Sequence, residues 1–158
     1  MKIAKTNAAR LLDRAGIDYE LIPYAVDEEH LDAGHVAAQL GEDVRQVFKT
    51  LVLRGDRTGI FVCVVPGDRE VDLKVAARVS GNKSAAMIHV RELLETTGYI
   101  RGGCSPIGMK RTFSTYIDRT CRAFDRIYIS AGVRGLQIAI DPEALIRFGR
   151  LTVAQLTA

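Results

Sequence analysis

The sequence predicts a mixed α/β (α+β) fold, a curved, mostly antiparallel, barrel-like sheet with helices packed on its outside. Three observations carry this reading. Strand-forming stretches outnumber helical ones, several neighbouring strands are joined by short turns, and the helices interrupt the strands irregularly. The last point sets aside a doubly wound fold, in which helices and strands alternate. At 158 residues the chain is expected to form one domain, 1–158, burying roughly two-thirds of its unfolded surface. It has no internal repeat, low-complexity tract or linker.

Thr6 or Asn7 caps a helix over Ala8–Ala15, and Gly16 stops it. Ile17 to Tyr24 reads as a first strand, with Pro23 placing its end near an edge. The acidic run Asp27–Asp32 is a loop, and Val36–Leu40 a short helix closed by Gly41, with a further turn over Val44–Val47. Phe48–Arg54 is a strand that turns through Gly55–Gly59 into Ile60–Val65. This second run is apolar throughout, so it should be a central strand buried on both faces. Asp72 caps a helix over Leu73–Ser80 that Gly81 ends, with Leu73, Ala76 and Ala77 available to the core. Ala85–Ile88 is a short strand and Val90–Glu95 a helix that Gly98 terminates. Phe113–Asp118, Ile127–Ser130 and Leu136–Ile140 are strands. Asp141-Pro142-Glu143 is a cap, a proline at the first position and an acid in the first turn, opening a helix through Phe148. Leu151–Leu156 is a tail with room for a last short strand.

Composition narrows the class of function. No stretch approaches the ~20 apolar residues of a membrane span, and the N-terminal residues have a charge but no apolar core of a signal peptide. Cys63, Cys104 and Cys121 are odd in number and lack metal-ligand spacing, as expected for a reducing cytoplasm. The three histidines are scattered, so neither a metal nor another cofactor is expected. Charge is uneven: residues 1–70 carry a net of −3 and residues 71–158 a net of +6. A basic half suits a polyanionic partner such as nucleic acid, though solvated surface charge accounts for it equally well. With five Phe, five Tyr and no Trp, an extended base-stacking platform is excluded, so such a partner would be held by its phosphates.

Two stretches could carry chemistry. On the strand over Phe48–Arg54, Lys49 shares a face with Val47, Leu51 and Leu53. An amine there must reach the rim, pair with an acid or point into a pocket, where it could bind a phosphate or a developing oxyanion. Thr50 points to the opposite face but offers its backbone N–H nearby. The other stretch is Gly98-Tyr99-Ile100-Arg101-Gly102-Gly103-Cys104-Ser105-Pro106-Ile107-Gly108-Met109-Lys110-Arg111. A glycine pair allows close backbone approach by another molecule, and Pro106 shapes the loop. A plain connecting loop is the competing reading. Cys104 could be a nucleophile only with a base or a positive field, of which Arg101 and Lys110 supply some.

The segments Val47–Leu51, Val71–Lys74, Thr97–Gly108 and Ile129–Leu136, in this order, resemble the YbaK/EbsC family of prolyl-tRNA editing proteins, and the likeness covers essentially the whole chain. The resemblance implies a free-standing deacylase acting in trans beside prolyl-tRNA synthetase. It would remove cysteine mischarged on proline tRNA, the thiol of the bound cysteine attacking its own ester. It also implies site residues. Lys49 would hold the terminal adenosine phosphate and the ester end. Gly102 and Gly103 would line the pocket and bring backbone N–H groups to the ester carbonyl. Tyr24 would be a pocket residue, Ser130 would lie near the tRNA 3′ end, and Arg101 becomes a candidate for its phosphates, with Lys110 and Arg111. Ala33 stands where some members carry phenylalanine, and Gln137 where some carry an acid, which favours the EbsC-like branch.

Besides a thiol enzyme using Cys104 as its nucleophile, two other readings stay open on sequence. One is a deacylase for another small aminoacyl-tRNA, such as the alanyl ester, using water. The other is a non-catalytic accessory binding tRNA or the synthetase through its basic half. The oligomeric state is not legible.

Overall fold

A computed structural model describes residues 3–158. Its helices are α1 (Asn7–Arg14), α2 (Ala33–Leu40), α3 (Leu73–Ser80), α4 (Val90–Thr97) and α5 (Pro142–Gly149). Its strands are β1 (Glu20–Pro23), β2 (Phe48–Gly55), β3 (Gly59–Pro66), β4 (Ala85–Met87), β5 (Thr115–Asp118), β6 (Ile127–Ser130), β7 (Leu136–Ile140) and β8 (Thr152–Ala154). They form two sheets, ordered β1-β7-β6 and β4-β2-β3-β5-β8. The fold is mixed α+β. Sheet pairing is antiparallel except at β3–β5 and β5–β8, which are parallel.

Strand alternation explains the layers. Phe48, Val52, Val62 and Val64 point from β2 and β3 into a core that they share with Ile127 and Ile129 of β6 and Leu136, Ile138 and Ile140 of β7. Leu53, Phe61, Cys63 and Val65 point the other way, under Ala76 of α3 and Leu156 of the tail. Tyr128 and Ala139, on the outer face of the smaller sheet, pack under Val36 and Ala37 of α2. Among the described residues, the two sheets are joined by backbone pairing at one parallel bridge, Val47 with Tyr128.

β3 is the central strand its apolar run requires, flanked by β2 and β5. α3 occupies the predicted residues because Asp72 accepts hydrogen bonds from the N–H groups of Lys74 and Val75, and Gly81 closes the helix at φ 83°. Leu73, expected to be available to the core, is instead 39% exposed. α2 begins earlier than its apolar residues suggest, because Asp32 of the acidic run caps it through His35 N–H. β1 is shorter than predicted: Ile17 N–H still bonds back to Leu12, and Tyr24 N–H to Gly135 at the β6–β7 turn. β8 supplies the tail's short strand.

Candidate functional site

The site is a gap in the sheet along the outer edge of β2. At one end β6 pairs here only with Val47, the residue before β2, through Tyr128; at the other, β4 pairs with β2 only over Leu53–Gly55. A strand residue projects its N–H and C=O from the same edge, and the edge alternates residue by residue. Val52 lies opposite Val62, and they turn away from each other: the Val52 carbonyl accepts from Ile88, and Val62 N–H donates to Ser114. Thr50, two residues back and opposite Val64, follows the same pattern. Its backbone N–H and carbonyl therefore project into the gap.

A cavity of about 330 Å³ fills this gap. β2 lines it from Phe48 to Val52, and Ser130 of β6 and Gln137 of β7 line it from the smaller sheet. Its walls are Leu31–Ala33 with Val36, then Met87–Val90 with Leu93, then Arg101, Gly102 and Cys104. The Thr50 hydroxyl and the Gln137 side-chain carbonyl oxygen are both buried without a hydrogen-bond partner among the described residues. Buried polar atoms are nearly always paired. Two orphans lining one cavity mark a place where a polar ligand would complete the bonding.

The structure thus brings Lys49, Thr50, Arg101, Gly102, Ser130 and Gln137 to one cavity, with Ala33 on its wall. The Lys49 ammonium donates to Glu70 at 3.2 Å, in the loop after β3. Gly102 has φ +85°, and a Cβ built there would lie 3.1 Å from Leu31 and 3.3 Å from Arg134. Its absent side chain lets the loop pack against both.

Two expected site residues stand elsewhere. Tyr24 packs with Val36 and Val47 in the cluster beneath α2 and does not line the cavity. Gly103 sits behind the wall: a Cβ there would come within 3.1 Å of the Arg134 N and the Val133 carbonyl carbon. Its N–H is already donated to Ile100 and is not free for an ester carbonyl. Lys110 and Arg111 line a separate hollow with Arg54, Glu92 and Glu95, so of the three loop cations only Arg101 lines the cavity.

The thiols are inert in character. Burial pushes Cys104 up to about 12, against a hydrogen bond from Thr97 that lowers it; burial raises Cys63 to about 12 and Cys121 to about 11. Cys104 lines the cavity yet stays a neutral thiol near pH 7, which removes the nucleophilic form. Among the described residues, no group of three or more His, Cys, Asp or Glu side chains could hold a metal ion.

Sequence reasoning missed the walls contributed by Leu31–Asp32 and by Met87–Val90 with Leu93, and the partner Glu70. No local pattern points to Glu70, since a loop beyond β3 brings it to Lys49. Arg134 lies within the Ile129–Leu136 segment, where nothing local marks it beyond its charge.

Comparison with known proteins agrees with this architecture. A model of the aminoacyl-tRNA editing domain matches residues 27–148. A protein of Enterococcus faecalis named as the Cys-tRNA(Pro)/Cys-tRNA(Cys) deacylase EbsC is 46% identical over 153 residues, covering 97% of this chain and 93% of its own. Proline–tRNA ligase of Fervidobacterium nodosum is 36% identical over 78 residues, 49% of this chain but 13% of that enzyme. The crystal structure of a protein described as a trans-editing enzyme for prolyl-tRNA synthetase superposes with a TM-score of 0.83 at 23% identity, covering 98% of this chain and 99% of that one. At that identity the likeness is one of fold. The match to the domain and the near full-length relative together place this chain in the aminoacyl-tRNA editing domain family.

Proposed function

We propose that this protein is a trans-editing deacylase that clears cysteine from mischarged proline tRNA, acting in the cytoplasm beside prolyl-tRNA synthetase. The observation that carries the reading is the 46% identity to EbsC over 97% of the chain. The cavity supports it, offering polar groups on β2, β6 and β7 to a ligand while its own thiol is un-ionised. A synthetase pocket separates amino acids differing by one or two heavy atoms by only ~1–3 kcal/mol, so a second site that destroys the wrong ester restores fidelity.

In the proposed reaction the substrate's thiol sulfur attacks its own ester carbonyl carbon. A C–S bond forms, the bond from that carbon to the ribose oxygen breaks, and the thiol proton ends on the released ribose hydroxyl. The product is a cyclic thiolactone that water opens to cysteine. Holding thiol and ester together exploits the high effective molarity of an intramolecular reaction. Lys49 would leave the exposed Glu70 carboxylate for the terminal phosphate and the ester end. Thr50, through its outward N–H and its unpaired hydroxyl, and Gln137, through its unpaired oxygen, would hold the aminoacyl group. Gly102 would be the wall against which the thiol folds, with Ser130 near the tRNA 3′ end and Arg101 toward its phosphates.

The test is deacylation of Cys-tRNA(Pro), Ser-tRNA(Pro) and Ala-tRNA(Pro) by wild type, Lys49→Ala and Cys104→Ser. Wild type should cleave only the cysteinyl ester, Cys104→Ser should stay within about threefold of it, and Lys49→Ala should fall by about 10²-fold or more, as when an oxyanion donor is removed. Cleavage of the seryl or alanyl ester at a comparable rate points to water as nucleophile. An inactive Cys104→Ser restores the protein thiol, and an unaffected Lys49→Ala removes the proposed site.

A further inference from the structure

We propose that Arg134 is a positioning residue that sets the size limit of the cavity by holding its Gly102 wall. The inference rests on the deacylase reading for the identity of the ligand, and on geometry alone for the clamp.

Arg134 lies in the turn between β6 and β7, across from the loop that follows α4. Its Nε–H donates to the Arg101 carbonyl at 2.8 Å. The same Nε stands 3.3 Å from the position of a Cβ on Gly102, and its backbone N 3.1 Å from that of a Cβ on Gly103. Arg101 and Gly102 therefore rest on this side chain, while Gly103 sits against the Val133–Arg134 backbone. The other hydrogen bond within this stretch, Gly103 N–H to Ile100, closes the loop on itself. Among the described residues, the Nε–H bond is the hydrogen bond that ties residues 100–103 to another part of the chain. Arg134 also forms no ion pair among the described residues, so its fork is oriented by a backbone carbonyl and not by a carboxylate.

The consequence is steric. Gly102 meets the apolar Leu31 side chain at the cavity wall. With the Nε–H bond gone, the wall is free to retreat, and the cavity admits a longer aminoacyl side chain than cysteine. Arg134 does not line the cavity, so it acts on the ligand through Gly102.

Two variants separate this hydrogen bond from charge. Arg134→Ala removes both, whereas Arg134→Lys keeps the charge but places a methylene where Nε–H stands. Two adenosines carrying a non-hydrolysable 3′-amide, one cysteinyl and one methionyl, are the probes, and binding is measured by calorimetry. A ratio of two dissociation constants on one protein is independent of the active fraction. Wild type should bind the cysteinyl probe at least tenfold more tightly, and both variants should narrow that ratio to about twofold. An unchanged ratio in both variants overturns the proposal, as does a ratio narrowed by alanine but kept by lysine, since charge would then suffice. Hydrogen exchange supplies an arm that needs no ligand: amides of residues 101–104 should exchange about tenfold faster in both variants. If wild type binds neither probe and leaves Cys-tRNA(Pro) intact, the deacylase reading fails, and the exchange rates alone decide the clamp, unchanged protection overturning it.

Discussion

Lys49 and Glu70 show how a single contact can be both present and dispensable. The ammonium is 24% exposed at its side chain, the carboxylate 89%. An ion pair with one partner almost fully in water contributes ~0–1 kcal/mol, because solvent screens it and two long side chains must be held still. Lys49 can therefore exchange this carboxylate for a phosphate with little loss. Glu70→Gln should leave the chemical denaturation midpoint nearly unchanged and lower KM for the aminoacyl-tRNA by about twofold to fivefold at low salt. Adding salt should shrink that advantage as screening lengths fall from ~10 Å at 0.1 M toward ~3 Å at 1 M. A raised KM in Glu70→Gln would instead assign Glu70 to substrate binding. Position alone could not have revealed this pair: the alternation of β2 left the rim, an acid or a pocket open to Lys49, and the acid comes from a loop set by tertiary structure.

At the scale of elements, punctuation residues were legible and gaps were not. The bounds of α3 follow from Asp72 and Gly81, and the place of β3 from its unbroken apolar run, because these are local consequences of capping and burial. The cavity arises where β2 has lost one neighbour and not yet gained the next. That depends on how far β6 and β4 extend beside it. No residue pattern on β2 records this, so Tyr24 and Gly103 are expected in the pocket from sequence, yet neither lines this cavity. Two helix caps turn the distinction into a prediction. Asp72 caps α3 and Asp32 caps α2, each by accepting backbone N–H bonds. Replacing either by Ala should cost ~1 kcal/mol of stability in denaturant unfolding. Of these two helices, only α2 carries cavity residues, Ala33 and Val36. Asp32→Ala should therefore raise KM for the aminoacyl-tRNA while Asp72→Ala leaves it unchanged. Equal kinetic effects would mean that the α2 wall is not held by its own cap.

The molecule as a whole carries three thiols in its cores, and their burial predicts how it responds to alkali. Cys63 is fully enclosed among Leu53, Phe61 and Val65, and Cys121 is enclosed in the larger core that also holds Cys104. Burial raises all three, to about 12 for Cys63 and Cys104 and about 11 for Cys121. In the unfolded chain a thiol ionises near ~8.5. Below that value both states hold the proton, and the thiols give no pH dependence. Above it the unfolded state releases protons that the folded state still holds, so stability falls as pH rises toward the folded values. Each thiol can steepen that loss by up to ~1.4 kcal/mol per pH unit. Denaturant unfolding of wild type and Cys63→Ala at several pH values between 7 and 10.5 isolates one share. The variant should be the less stable protein at pH 7, since a cavity replaces the sulfur, but its stability should decline less steeply above pH 9, so that the two curves converge. Parallel curves would mean that Cys63 ionises in the folded protein as it does in the unfolded one, and that water reaches the core between β3 and α3.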